Sequence, residues 1–500
     1  MSKISVYLNF LNSNNGILLI AFSLAMFFIF LSSNSIGKRE MIIYLLYYLS
    51  NSMAILSSDI IIVVIVFEFM ALCALLIIAI SLSKERYKAF IHYACIHFCA
   101  GVFLLIGICQ FSFLKNLNHV SAASFFIGLL INAAAFPMSS WVTHSYPIAS
   151  NTGMAILSVF TTKTAAYIML KLFQGSDILL YVGLMTSIYG VIFSLLENNI
   201  KKLLCYNLVG QMGLLLISIG FNHMIVVEVI VLQIVLSMLY QLLLFMIANA
   251  IIKNTGIVNI NDMGCMLKTM PLEGICCFIA LLIMGGFPGT SGFIVKTMIL
   301  HNIELGGLQD IIFGKLFFIC SILLLVSAGF KFFWFVFLSN VQCVTKVAKS
   351  EFLTQVSILI LTCILLISGF FYKKCFFFVD NIGSHFYYTY DKVFFQCITF
   401  LVAALFFYCF YKKFKGITSF NMDIDWIYRS FLLNIILKFY AFILYICNIF
   451  ANLRGDILYV IKLCNNKDVI KNCGITSLSL AVIMSMLFIS SVVVFLCLSR

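Results

Sequence analysis

Apolar runs of about 20 residues follow one another along almost the whole chain, and each is long enough to cross ~30 Å of hydrocarbon as an α-helix. With the short polar connections between them, they predict fourteen spans, near residues 16–32, 40–56, 59–83, 88–111, 119–139, 152–174, 178–197, 203–222, 224–252, 271–301, 312–340, 352–372, 393–412 and 476–498. A β-barrel is excluded, because its strands would alternate apolar and polar residues over about 10 positions. The expected fold is an all-α polytopic membrane protein. Residues 16–32 read as a full span without a small-residue cleavage site, so the first helix is expected to remain in place.

Two spans are predicted to be broken. The four prolines, Pro137, Pro147, Pro271 and Pro288, all lie between residues 130 and 290. In GLLINAAAFPMSSW (128–141) Pro137 interrupts the span near 119–139; in MGGFPGTSGF (284–293) Pro288 does the same near 271–301, together with glycines that include Gly286 and Gly289. Proline removes a backbone donor and obstructs another hydrogen bond. Unwound backbone at membrane depth is tolerated only against protein or a water-filled cavity, which makes both breaks candidate pathway sites. The broken spans are five apart and so run in opposite directions, as expected of two inverted five-helix repeats.

Composition supports the membrane reading. Of 500 residues, 63% are hydrophobic and only 10% charged, against roughly 25% charged in soluble domains. The net charge of +13, from 31 Lys and Arg against 18 Asp and Glu, would suggest nucleic acid in a soluble protein. Here the cations cluster in connections after odd-numbered spans, among them Lys38, Arg39, Lys84, Lys201, Lys202 and Lys253, which places those connections in the cytoplasm and both termini outside. Residues 430–451 are apolar enough to span, but Lys438 and the cations that follow favour helices lying along the cytoplasmic face. The expected organisation is an N-terminal helix (1–39), a core (40–340), further spans (341–415), a cytoplasmic interfacial segment (416–475) and a last span (476–500).

The 18 cysteines are scattered through apolar segments without a CxxC pair, and they read as small core residues. HYACIHFC places His92, Cys95 and Cys99 along one helical face; helix packing is the reading adopted, and no metal site is expected.

An ionisable residue near a bilayer centre costs about 2.5–3.5 kcal/mol on insertion scales and is a functional-site hypothesis by default. Glu68, Lys163 and Lys296 stand in such positions. Removal from water favours the neutral form of either type of group, so each can take up and release a proton, and an approaching opposite charge reverses that preference. The structural alternative for each is a static ion pair or a head reaching the interface. Lys171 and Lys331, near span ends, read as snorkelling side chains. His144, after the first broken span, is a possible proton relay or a hydrogen-bonded loop residue; His223 and His301 are weaker candidates.

These residues sit, in order, in stretches that resemble the proton-translocating membrane subunits shared by respiratory complex I and Mrp-type cation/proton antiporters. SSDIIIVVIVFEFM resembles that family's glutamate-bearing helix (Glu68), AAAFPMSSWVTHSYPIA its first broken helix, and TTKTAAYIMLKLF the next helix with its lysine (Lys163). LLENNIKKLLCYNLVGQMG is similar to its DxKRLLAYSSVSQMG segment, and MPLEGICCFIALLIMGGFPGTSGFIVKTMIL to its second broken helix with a terminal lysine (Lys296). The resemblance covers about residues 40–340, and NMDIDWIYRS (421–430) resembles a stretch of the long D-type Mrp proteins. It implies a subunit exchanging protons against Na+ or another monovalent cation in a bacterial-type inner membrane, with other membrane subunits as partners, and neither a cofactor nor nucleic acid of its own. GGFPGTSG lacks the Lys-Ser/Thr that completes a phosphate loop, so any redox activity would belong to partners. Two departures stand out. Asn132 occupies the position of the family's central lysine in the first broken helix, and Ser237 and Gln241 stand where a later helix has histidine and lysine. Asn132 and Gln241 can order water and hydrogen-bond but carry no exchangeable charge. Three functions stay open: an Mrp-type antiporter subunit, a complex I pump subunit, and a non-pumping scaffold.

Overall fold

A computed structural model describes residues 14–33, 36–80, 84–114, 119–221, 225–304, 306–339, 350–376 and 388–415. These residues are helical apart from connections and one isolated antiparallel bridge, Asn199 to Asn259. The membrane leaves little choice, because in hydrocarbon every backbone N–H and C=O needs an internal partner and a helix supplies one within the segment.

In chain order the principal helices are α1 (Asn14–Ser32), α2 (Lys38–Leu56), α3 (Ile60–Ala79), α4 (Lys84–Leu114), α5 (His119–Asn132), α6 (Ser140–Ser145), α7 (Asn151–Val159), α8 (Thr161–Phe173), α9 (Asp177–Leu196), α10 (Ile200–Gly220) and α11 (Val227–Thr255). They continue as α12 (Pro271–Gly285), α13 (Ser291–Glu304), α14 (Leu308–Leu338), α15 (Phe352–Phe370) and α16 (Tyr390–Phe414). Among the described residues, ten helical stretches are long and apolar enough to cross a membrane, Asn151–Phe173 counting as one, and Val120–Asn132 and Pro271–Gly285 are shorter apolar helices. The expected segments 416–475 and 476–500, with His223, lie outside the described residues.

Local chemistry sets several ends. Asp59 caps α3 by accepting from the Ile61 N–H at 3.0 Å, and Asn199 caps α10 by accepting from Lys201 N at 3.0 Å, each satisfying a donor that the first turn leaves free. Lys253 lies in the last turn of α11 before the left-handed Gly256, where its charge suits the helix dipole. Pro271 opens α12 at its first turn, the one place in a helix where its missing N–H costs nothing.

The core is built around α10, α11 and the α7–α8 stretch, whose apolar windows are almost wholly buried. α11 is the hub and packs against α1, α7, α8, α10, α12, α13 and α15. The most extensive pairing, α9 with α10, depends on small residues: a Cβ on Gly190 would stand 2.6 Å from the Gly210 nitrogen, so only glycine lets the two backbones approach this closely. At the periphery, Ile65, Leu72 and Leu76 on α3 and Phe394, Leu401 and Leu405 on α16 are exposed, as lipid-facing side chains should be.

Candidate functional site

Lys163 and Lys296, both buried, each sit beside a helix interruption. At the second expected break, α12 ends at Gly285 and Gly286 turns into the left-handed region at φ 77°; the Phe287 N–H returns to Leu282 O at 2.9 Å, closing the end as a glycine C-cap does. Because the helix stops there, the Gly285 carbonyl has no N–H one turn on. Lys296 Nζ donates to it at 2.5 Å, and Gln396 Nε2 at 3.0 Å. Lys296 is 8% exposed, and its Nζ lies 5.7 Å from the centre of the Phe318 ring. Gly289 also has a positive φ, 89°, with Pro288 between the two glycines, so the sequence signal at this break and the backbone agree.

The first expected break starts earlier than proline alone would place it. α5 ends at Asn132, five residues before Pro137, and Ala134 takes a left-handed φ of 56°. The Ile131 carbonyl accepts from the Ala134 N–H at 3.0 Å and from Trp141 Nε1 at 3.1 Å, and the Phe136 N–H donates to Thr186 Oγ1 at 3.0 Å. Pro137 itself is exposed. Asn132 is buried, donates to Gly128 O at 3.1 Å, and lies alongside His97 of α4.

A third interruption has neither proline nor glycine to announce it. α7 and α8 are separated at Phe160 (φ −90°, ψ −76°), and Lys163, fully buried, sits in the first turn of α8. Its Nζ lies 3.3 Å from Met212 Sδ on α10.

A line of buried polar groups runs from Lys163 toward Lys296. Gln211, next to Met212, accepts from the Tyr240 hydroxyl at 2.8 Å. Gln211, Gln233, Ser237 and Tyr240 line one cavity of about 50 Å³ together with Lys296, and roughly 10–15 Å³ suffices for one water. Gln241 is buried on α11, the helix that touches both α8 and α13, and both of its polar atoms lack a hydrogen-bond partner, as do Gln211 Nε2 and Asn207 Oδ1. Buried polar groups in proteins are ordinarily satisfied; where the protein supplies no partner, ordered water is the usual one.

A second polar stripe reaches Lys163 from the helix ends that bear Lys38, Lys201 and Lys253. A cavity of about 310 Å³ there is lined by Glu40, Asn151, Asn249, Lys253 and Glu351, among others. From it, α2 presents Glu40, Tyr44, Tyr47 and Asn51 at helical spacing. The Tyr44 hydroxyl meets Thr152 at 3.2 Å and Ser150 at 3.4 Å, Tyr47 meets Thr161, and Asn51 accepts from Thr164. The stripe therefore ends at the α7–α8 interruption. Its signal in the sequence is the period of polar residues within the predicted span 40–56, weak because tyrosine also counts as apolar.

Glu68 stands apart from this line. It is half-buried on α3 and its carboxylate rests on Gly101 of α4, where a Cβ would stand 2.7 Å from Glu68 Cδ. No ion pair joins it to Lys163 among the described residues. His144 packs its ring 5.5 Å from that of His92, and His92 Nε2 meets Ser140 Oγ at 2.9 Å. Lys171 is exposed, as a snorkelling side chain is, and reaches Ile55 O at 3.2 Å. Lys331 departs from the expectation: it is 1% exposed and donates to Leu195 O at 2.5 Å and Glu197 O at 2.6 Å. The free carbonyls at the C-terminal end of α9 bind the cation more favourably than the distant interface would.

Residues 57–318, more than half of the chain, match the family described as NADH:quinone oxidoreductase/Mrp antiporter, transmembrane. The D-type component of the Na(+)/H(+) antiporter of Bacillus subtilis is 24% identical over 302 residues, covering 55% of this chain and 59% of that protein; the chain thus spans less than two thirds of that relative's length. Among solved structures, the Mrp complex of a Dietzia species is similar with a TM-score of 0.66 at 19% identity, over 73% of this chain and 82% of the matched one. Respiratory complex I of Thermus thermophilus is similar with a TM-score of 0.61 at 15% identity, over 72% and 85%. At these identities the structural likeness is one of fold.

Proposed function

The chain belongs to the NADH:quinone oxidoreductase/Mrp antiporter transmembrane family, and from that premise we propose that it is the ion-translocating subunit of a multi-subunit Mrp-type antiporter, exchanging protons for Na+ or another monovalent cation across the cell's inner membrane. The observation that carries this reading is the set of buried polar groups on α10 and α11, the helices between Lys163 and Lys296, with each of these lysines beside a helix interruption and the second opening into a cavity that those groups line. A helix break supplies unpaired carbonyls to hold a cation, and the cavity supplies room for water. Together these let a proton be held and released at a depth where the charge would otherwise cost about 2.5–3.5 kcal/mol.

In this reading protons arrive through the 310 Å³ cavity, on the side where basic connections cluster, and follow the α2 hydroxyls to Lys163. Gln211, Tyr240 and Gln241 pass them on through water, and Lys296 is the terminal station, facing the opposite half-channel. Core residues 40–340 are assigned to two inverted five-helix units, with further spans and an interfacial segment completing fourteen crossings. Glu68 modulates the line from a distance.

The fold equally suits a membrane-arm subunit of complex I, driven by redox chemistry elsewhere, and the likeness to the Thermus complex favours keeping that as the second reading. Purification of the tagged full-length protein in mild detergent separates the two, with small membrane subunits expected as partners and flavin or iron-sulfur subunits supporting the alternative. Everted vesicles carrying Lys296→Ala test the mechanism itself: cation-driven proton flux near the wild-type rate would reject it.

A further inference from the structure

Glu68 is a carboxylate in a span with no cation paired to it among the described residues. The position from which this family is expected to offer a lysine holds Asn132, which is neutral. A carboxylate that modulates proton affinity needs a titratable partner, so another group has to stand within its reach.

α4 supplies one. Gly101, on which the Glu68 carboxylate rests, is one helical turn beyond His97 and two beyond Tyr93, so all three lie on the face of α4 turned toward Glu68. His97 is 4% exposed, and its Nε2 is buried without a hydrogen-bond partner. The ring is stacked on Tyr93 at 4.1 Å and set edge-on to Trp141 at 4.5 Å. Asn132, from the end of α5, lies beside it. The groups against the ring are therefore Tyr93 from its own helix, Asn132 from α5 and Trp141 from α6, and Glu68 of α3 meets the same face of α4 one turn on, at Gly101. Glu68 is the acid among them, none of them is a lysine or arginine, and the aromatic faces of Tyr93 and Trp141 favour a cation between them.

We propose that His97 is the proton station of the first half of the protein, replacing in function the lysine that Asn132 does not provide. When Glu68 gives up its proton, the carboxyl O–H bond breaks and an N–H bond forms on the imidazole, directly or through one water, leaving a carboxylate and an imidazolium; the reverse transfer restores two neutral groups. Histidine suits this exchange because its imidazole accepts a proton at one ring nitrogen and donates one from the other. The small Gly101 lets the carboxylate lie against α4.

This inference rests on the ion-translocation reading above, and the test separates the two. Cation-driven proton flux is measured in everted vesicles of the host carrying the full-length protein, normalised to the amount of protein, for wild type, Lys296→Ala, His97→Gln and the double variant His97→Gln with Asn132→Lys. The expected result is a loss of about tenfold or more for His97→Gln and recovery of a substantial share of the flux in the double variant, where a cation returns to the neighbouring position. Flux in His97→Gln within about twofold of wild type, with Lys296→Ala inactive, would overturn the assignment; so would a double variant as inactive as the single one. Normal flux in Lys296→Ala would instead remove the premise. An infrared pH titration of the wild-type protein reads the same exchange without any His97 variant: the carboxyl band that Glu68→Gln abolishes should disappear as an imidazolium band grows, and independent titration of the two would refute the pairing.

Discussion

Lys296→Met separates function from stability. Methionine has nearly the length and volume of lysine without its charge, so packing changes little. An ionised lysine at this depth costs about 2.5–3.5 kcal/mol, while its hydrogen bond to the Gly285 carbonyl at 2.5 Å returns about 1.5–3 kcal/mol, the range for a charged donor. The two nearly cancel. The Gly285 carbonyl is also not orphaned by the change, because Gln396 Nε2 still donates to it at 3.0 Å. The variant should therefore keep its stability to within about 1–2 kcal/mol, a shift of a few degrees in melting temperature for a protein of this size, while losing at least about 100-fold in cation-driven proton flux. The paired assay is thermal unfolding of the purified protein in detergent beside flux in everted vesicles. A collapse in melting temperature would show Lys296 to be a structural anchor of the broken helix, and retained flux would show that no proton needs to stop there.

Other variants probe the rest of the line. Gln241→Leu removes two buried polar atoms that have no protein partner, each costing about 1–3 kcal/mol if left unsatisfied; melting should rise or stay level while flux falls by about tenfold or more, and unchanged flux would take Gln241 off the path. Lys331→Met leaves the Leu195 and Glu197 carbonyls without their cation and should cost about 2 kcal/mol with transport per folded molecule retained, so an unshifted melting curve would contradict the capping role. Gly101→Ala forces the Glu68 carboxylate off α4, and a flux loss of about tenfold is expected; wild-type flux would mean that the carboxylate's position against α4 does not matter.

Much of this protein is written along the chain in one dimension. Apolar runs and the need to satisfy backbone groups in lipid decide on helices, and rare charges within the runs mark Glu68, Lys163 and Lys296 because a charge in hydrocarbon is too costly to persist without use. Glycine and proline mark the break at 286–289, since left-handed backbone there is glycine's own conformation. What the chain does not display is everything that depends on which helices are neighbours. The interruption at Phe160 carries no local signal, the backbone after the early end of α5 at Asn132 is held by Thr186, 50 residues from the Phe136 N–H that it meets, and Lys331 is drawn inward by α9 carbonyls more than 130 residues away in sequence. His97 likewise reads as one residue in a Cys- and His-containing run until folding sets it between Tyr93, Trp141 and Asn132. Periodicity reports which residues share a face, because that is fixed by helix geometry; it is silent on what the face meets, because tertiary packing is decided by shape complementarity between segments far apart in the chain.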